Sequence, residues 1–191
     1  MSFKKYIQSM EGPGIVFTFG RFNPMHQGHY TLSQHLQQYA AKHKMDAVLY
    51  TSFSQNAKKN PLSPTDKVMY LTKMVPKGVR VSNDQTLKNS YQILEDLIRN
   101  KKYTKITFLV DESRVNDFQA MKKYANKWAS EEQVMVNFKI EQHQNNKEFS
   151  GIKMRQFVKD NNFKSFRESL PLTLRTSAME LFNKTKFGLG L

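Results

Sequence analysis

Short runs rich in β-branched and aromatic residues alternate along this chain with longer stretches of helical period, and that alternation restricts the fold more than any other feature. The runs are Ile15 to Phe19, Ala47 to Thr51, Val79 to Ser82, Lys105 to Val110 and Val134 to Ile140. Between them apolar residues recur at three- and four-residue intervals: Tyr30-Leu32-Leu36-Tyr39-Ala40, Val68-Tyr70-Leu71-Met74, Tyr91-Leu94-Leu97-Ile98 and Phe118-Met121-Tyr124-Ala125. Repeated strand, helix, strand units with right-handed crossovers build a parallel sheet with helices on its faces. The expectation is an α/β, doubly wound, five-stranded parallel sheet. Ligands of such sheets settle beyond the carboxyl ends of the strands, near the point where strand order reverses, which here places the site after Phe19 and after Val110. Past Phe149 the pattern changes: Gly151 to Asn161, Phe163 to Leu170 and Leu172 to Phe182 read as three short helices with no strand between them. The 191 residues thus divide into a core over residues 1–149 and a basic helical C-terminal extension over residues 150–191, a length that fits one domain with an appendage.

Thirty Lys and Arg against sixteen Asp and Glu give a net charge of +14, a field that draws phosphorylated or polyanionic partners at moderate salt. The same lysines would equally serve solubility. Hydrophobic residues at 39%, 14 of them Phe by count, suffice for a packed core despite a mean hydropathy of -0.65, which argues against wholesale disorder. The absence of Cys removes disulfide frameworks, thiolate nucleophiles and cysteine-ligated zinc, and accords with a reducing compartment. Met1 to Met10 carries Lys4 and Lys5 with no apolar stretch after them, and no run of about 18 apolar residues is available to cross a bilayer. The chain is expected to be soluble and cytoplasmic, with no membrane partner.

Chemistry concentrates directly after the first strand, at Gly20-Arg21-Phe22-Asn23-Pro24-Met25-His26-Gln27-Gly28-His29. Gly20 ends the strand where a backbone turn and close approach of a ligand are needed, Gly28 allows tight packing of the helix start, and that helix start offers free amides to an anion. His26 and His29 stand three residues apart on one face of the first helical turn, so both imidazoles can donate to charge developing on phosphorus and its bridging oxygen. A zinc site is disfavoured there, since no nearby carboxylate supplies a third ligand. Later, Phe149-Ser150-Gly151-Ile152-Lys153-Met154-Arg155 opens a second helix in which Ser150 can cap while Lys153 and Arg155 neutralise an anion.

The first of these runs resembles the signature of the nucleotidylyltransferase superfamily, a Gly-x-Phe-Asx/Gln-Pro turn followed by His-x-Gly-His. The second is similar to that family's later signature, a hydroxyl-rich turn ending in Lys-x-Arg, with Ile152 where those enzymes usually carry Ser or Thr. The resemblance implies a Rossmann-like fold and transfer of a nucleoside monophosphate from a nucleoside triphosphate to a phosphate-bearing acceptor, with release of pyrophosphate. It implies catalytic roles for His26, His29, Lys153 and Arg155, and nucleotide contacts at Gly20, Arg21, Phe22, Asn23, Gly28, Ser150 and Gly151. A third stretch, Ser54 to Val68 with Lys59-Asn60-Pro61-Leu62 inside it, looks like the loop that archaeal-type nicotinamide-mononucleotide adenylyltransferases place after the second strand, and Lys58 and Lys59 would reach a phosphate. Arg114, in Asp111-Glu112-Ser113-Arg114, matches the last position of a Gly-x-Asp-Arg segment that the family often has after the fourth strand. Together with the opening Ser2-Phe3-Lys4-Lys5-Tyr6-Ile7 and the ending Phe166 to Pro171, the likeness extends to cytidylyltransferase-like proteins of tailed phages, which would place the protein in the host cytoplasm.

The Gly-Arg-Phe-Asn-Pro turn is closer to the adenylyl-transferring branches than to the cytidylyl ones, so AMP is expected over CMP and nicotinamide mononucleotide is the leading acceptor. Magnesium is expected to travel on the substrate phosphates, with no protein metal site. A class I aminoacyl-tRNA synthetase, which begins with a related tetrad, needs far more chain. The alternative is a catalytically weakened relative that binds nucleic acid or a virion, for which the charge, the basic C-terminal segment, Trp128 and the many Phe and Tyr would provide phosphate contacts and stacking. The sequence leaves the oligomeric state, homo-oligomer included, open.

Overall fold

The structure is a computed structural model that describes residues 12–144, 146 and 148–191; the opening Ser2 to Ile7 lies outside the described residues. Five strands form one sheet: β1 (Gly14–Gly20), β2 (Asp46–Thr51), β3 (Val79–Val81), β4 (Lys105–Asp111) and β5 (Asn137–His143). All four pairings are parallel and the order is β3-β2-β1-β4-β5, so the chain winds outward from β1 to one edge and then, through β4, to the other. The reversal of order between β1 and β4 opens a crevice at the carboxyl ends of those two strands. This is the Rossmann-like sheet that the alternating pattern predicts.

Helices cover both faces because successive strand residues point to opposite sides. Val16, Leu49 and Leu109 meet one cluster, in which α1 (Gln27–His43) contributes Leu36 and Ala40, and α2 (Pro64–Met74) contributes Tyr70, Leu71 and Met74. Ile15, Phe17, Val48 and Phe108 meet the other, built by α3 (Ser90–Arg99) with Ile93, Leu94, Leu97 and Ile98 and by α4 (Met121–Glu131) with Met121, Ala125 and Trp128. Helix starts are fixed locally: Asn89 accepts from the amides of Tyr91 and Gln92, and Ser63 accepts from that of Asp66 ahead of Pro64 at the first helical position.

The C-terminal segment belongs to the first of these clusters. It comprises α5 (Gly151–Lys159), α6 (Phe163–Glu168), a 3-10 turn (Leu172–Ser177) and α7 (Ala178–Gly188). Met154, Val158, Phe166, Leu170, Leu174, Leu181 and Phe182 are buried together with Leu36, Tyr70 and Leu71. Gly188, at the end of α7, lies so close to the Pro61 carbonyl that a Cβ there would stand 2.0 Å from its oxygen. The extension therefore clamps the loop after β2 as well as the sheet face.

Two elements depart from the sequence pattern. The fifth strand is expected over Val134 to Ile140 and runs instead from Asn137 to His143, because Gln133 turns into the left-handed region (φ 54) and the Val134 amide donates back to Ala129, at 2.9 Å, to close α4. Pairing with β4 then carries the strand out to Asp111↔His143. The last helix, expected over Leu172 to Phe182, starts as a 3-10 turn after Pro171 and continues to Gly188, since Thr185 is fully buried along with Leu181.

Candidate active site

The turn from β1 into α1 is shaped around a single ring. Phe22 is buried and adopts a left-handed backbone (φ 45), and a Cβ on Gly20 would lie 2.9 Å from two atoms of that ring. Phe22 packing thus requires a glycine at position 20, which also lines the cleft at the strand end. The following Asn23–Pro24 peptide is cis. Asn23 is buried, and its side chain is committed to the loop after β2: Oδ1 accepts from the Leu62 amide at 3.0 Å and Nδ2 donates to the Leu62 carbonyl at 3.4 Å. This pair of bonds ties the turn to that loop.

His26 occupies the N-cap position of α1 in extended conformation and makes no side-chain capping bond. It is 4% exposed, and its ring stacks on that of His29 with centroids 3.6 Å apart and planes 25° apart. Phe22 packs against His29 at 4.8 Å, edge to face. Burial lowers the His26 pKa to about 4; burial, and then the neighbouring His26, hold His29 well below the usual imidazole range. Both rings are therefore neutral at physiological pH, and each can donate one N–H. Nδ1 of each is buried with no hydrogen-bond partner among the described residues.

Backbone amides contribute less to this site than expected. The Gln27 amide at the start of α1 donates to the Ser169 carbonyl at 2.9 Å, and that of His29 to the His26 carbonyl at 2.9 Å. Side chains must carry more of the recognition of an anion. The start of α5 supplies them: Ser150 accepts from the Lys153 amide as predicted, and Arg155, half-buried, donates from Nη1 to the Asn23 carbonyl at 2.8 Å. Gly151 makes room for that guanidinium, which would stand 3.2 Å from a Cβ there. Burial and the nearby exposed Arg21 lower the Arg155 pKa from its ordinary value. Neither arginine forms an ion pair with a carboxylate among the described residues, so the two together form an uncompensated cationic spot. Lys153 is exposed and its Nζ donates to the Glu148 carbonyl at 2.8 Å; Ile152 is 73% exposed beside it.

His29, Gly28, Gly20 and Phe22 open onto a cleft of about 160 Å³ at the β1/β4 crevice, whose other walls include Thr18, Phe19, Leu32, Phe108, Val110, Asp111, Arg114, Phe118 and His143. Arg114 lies over the Phe118 ring at 4.8 Å and pairs with Asp117 at 3.4 Å. Lys58 and Lys59 stand apart from it, exposed at the tip of a tight turn closed by the Asn56↔Asn60 bridge.

Two features are absent from the sequence reading. Lys67 is fully buried on α2, its Nζ donating to the carbonyls of Ser52 and Ser54 under the loop after β2, and burial lowers its pKa to about 8. Its place in the series Lys67, Tyr70, Leu71, Met74, the spacing of an apolar helix face, is a signal that could have found it. His143, buried in the cleft wall, has no such signal, because it enters only through the ladder that pairs it with Asp111.

The comparisons with known proteins agree with this fold. No curated protein matches the chain by sequence. Among solved structures, TmcAL of Thermotoga maritima, determined with alpha-thio ATP bound, superposes with a TM-score of 0.54 at 12% identity over 90% of this chain and 56% of that one. A macrolide-efflux protein from Streptococcus pneumoniae superposes with a TM-score of 0.50 at 18% identity, over 84% of this chain and 66% of that one. The chain spans only about half the length of the first of these neighbours, and at such identities the likeness is one of fold. A family profile described as cytidylyltransferase-like matches residues 17–157, from inside β1 to inside α5, and so includes both histidines and the Ser150 to Arg155 helix start. By that match the chain belongs to the cytidylyltransferase-like family, a family of nucleotidylyltransferases.

Proposed function

We propose that the protein transfers AMP, in preference to CMP, from a nucleoside triphosphate to a phosphate-bearing acceptor, with nicotinamide mononucleotide the leading acceptor and pyrophosphate the leaving group. The observation that carries this reading is the stacked, neutral His26–His29 pair, of which His29 lines the β1/β4 crevice, together with the uncompensated Arg21 and Arg155. Each neutral ring can donate one hydrogen bond to a phosphoryl oxygen without adding charge. Preference for AMP rests on the Gly-Arg-Phe-Asn-Pro turn, and the adenine nucleotide held by TmcAL points the same way.

An ionised acceptor phosphate is already a nucleophile at neutral pH. One of its oxygens attacks the α-phosphorus in line, a P–O bond forms, the bond from the α-phosphorus to the α,β-bridging oxygen breaks, and the electron pair leaves on pyrophosphate with no proton transferred from a side chain. Catalysis reduces to positioning and charge stabilisation. His26 and His29 hold the α-phosphoryl oxygens and the bridge; Arg155, Arg21 and Lys153 neutralise the departing phosphates. Magnesium in this reading arrives on the nucleotide phosphates, since it keeps much of its water and asks for few protein ligands. No helix among the described residues is long and apolar enough to cross a membrane.

Incubation with magnesium and each nucleoside triphosphate across a panel of phosphate acceptors, read as pyrophosphate release, tests the proposal. Release with ATP and nicotinamide mononucleotide is expected. No release from any nucleotide, together with salt-sensitive binding of an oligonucleotide, would instead favour the nucleic-acid-binding alternative, for which exposed Ile152 in place of a phosphate-binding hydroxyl is the relevant feature.

A further inference from the structure

His143 lies between two cavities. On one side is the cleft with His29 at its mouth; on the other is a polar groove of about 530 Å³ between α1 and β5, lined by Gln34, His35, Gln38 and Glu141 among others. His143 is 6% exposed. Its Nδ1 meets the Nδ1 of His35 at 3.2 Å, while its Nε2 is buried with no hydrogen-bond partner among the described residues.

The cleft lining combines polar groups, His29, Asp111, Arg114 and His143 among them, with an aromatic and aliphatic wall. Phe19, Leu32, Phe108 and Phe118 make a wall suited to stacking on the planar base of a nucleotide whose phosphates lie at His29, and His143 is a polar group beside that wall. The His35 contact decides what His143 offers there. A hydrogen bond between two Nδ1 atoms requires a proton on one of them only. If His143 donates, its Nε2 is a bare acceptor; if His35 donates, the His143 proton sits on Nε2 as a buried N–H with no acceptor. The first arrangement avoids the orphaned donor.

We propose that His143 reads the nucleobase in this cleft, accepting a hydrogen bond from an exocyclic amine, and that His35 is the positioning residue that keeps His143 in its accepting form. The ligand class is a nucleotide whose base carries an amino group at the 6-position of a purine or the 4-position of a pyrimidine. The inference rests on the phosphate-binding reading of the His26–His29 pair and adds a base-selective element to it.

The test is equilibrium binding, without turnover, of ATP, CTP, GTP, UTP and inorganic tripolyphosphate to the wild-type chain and to H143A, H35A and H35Q. The wild type is expected to hold ATP and CTP about tenfold tighter than GTP and UTP, the scale of one hydrogen bond. H143A brings ATP and CTP down to the level of the other two and leaves tripolyphosphate unchanged. H35A does the same with His143 in place, whereas H35Q, whose Oε1 can accept from Nδ1–H, restores the preference. A nitrogen-15 spectrum showing the His143 proton on Nδ1 in the wild type and redistributed in H35A separates positioning from simple packing. The inference is overturned if H143A leaves the ranking of the four nucleotides intact, or if it weakens tripolyphosphate as much as ATP. If the wild type binds tripolyphosphate through His29 but does not discriminate among bases, this inference falls and the transfer reading stands. If neither tripolyphosphate nor any nucleotide binds, both fall.

Discussion

The β1–α1 turn and the start of α5 meet at one point, the Asn23 carbonyl that accepts from Arg155, yet they are built in opposite ways. In the turn, Phe22, Asn23 and His26 are buried, the histidine rings are stacked, and desolvation keeps them uncharged. At the helix start, Lys153 and Ile152 are exposed and the charge is retained. The contrast teaches where preorganisation is needed. Groups that stabilise charge appearing only during the reaction gain from a dry, fixed setting, because they need not reorganise when that charge develops. Groups that hold a polyphosphate already bearing its charge gain from remaining cationic, and water around them costs little specificity. The turn should therefore be intolerant of change and the helix start graded.

The largest effect is expected at His29. Replacing it with Ala should lower kcat/KM about 100- to 1000-fold, equivalent to about 2.7–4 kcal/mol for one preorganised donor, with the circular dichroism spectrum unchanged. H26A should approach the same loss, and the double variant should lose much less than the product of the two, because stacked neighbours do not act independently. Strict multiplication would show that the rings do not work as a pair.

The same burial predicts a pH dependence of stability. The His26 pKa falls from 6.5 unfolded to about 4 folded, so above pH 6.5 both states are neutral and the ring costs nothing. Between pH 6.5 and 4 the unfolded chain takes up a proton that the folded one refuses, and stability declines by about 3 kcal/mol as pH falls. His29, held well below the usual imidazole range by burial and then by His26, adds to the decline in the same direction. Thermal melts from pH 8 to pH 4 should show Tm dropping through this window, and H26Q should make the drop shallower, with His29 supplying what remains. A wild-type Tm that stays level down to pH 4.5 would mean that the histidines are solvated.

These features differ in how far the sequence discloses them. The His26–His29 spacing and the Ser150 cap are visible because both depend on neighbours within one helical turn. The sheet is visible because each strand is a local run of apolar residues. β5 is misplaced by three residues at each end: its start is displaced by the Gln133 turn that closes α4, and its outer end, Glu141-Gln142-His143, is polar, so that only pairing with β4 makes it strand. The packing roles of Gly20 and Asn23 are hidden for a related reason: the ring filling the space above Gly20 and the Leu62 backbone engaging Asn23 are tertiary contacts that no spacing encodes. Lys67 is the intermediate case, a lysine on an apolar helix face whose carbonyl partners lie 13 and 15 residues earlier.

Within the helix start, the comparison sharpens into Arg155 against Lys153. Arg155 is half-buried and its guanidinium braces the turn, so R155A should raise KM for the triphosphate about tenfold or more, the scale of a charge-assisted hydrogen bond, and R155K should not rescue it because a lysine cannot span the carbonyl and an anion together. K153A removes an exposed ammonium and should cost about threefold at low salt. Equal losses in the two alanine variants would erase the distinction between bracing and simple charge.

The smallest effect is expected at Lys58 and Lys59. Both are exposed at the tip of the turn held by Asn56 and Asn60, and the Lys59 backbone amide, donating to Asn56 Oδ1 at 2.8 Å, shapes that turn independently of either side chain. Their ammonium groups act on a phosphate only through solvent, where attraction is screened beyond about 8 Å at physiological ionic strength. The double variant K58A/K59A should therefore leave kcat unchanged and raise KM for the acceptor about twofold at low salt, with the difference vanishing at about 0.5 M salt. A larger loss that persists in high salt would mean that this loop closes over the acceptor during turnover, and the lysines would then belong with the buried, preorganised groups of the turn.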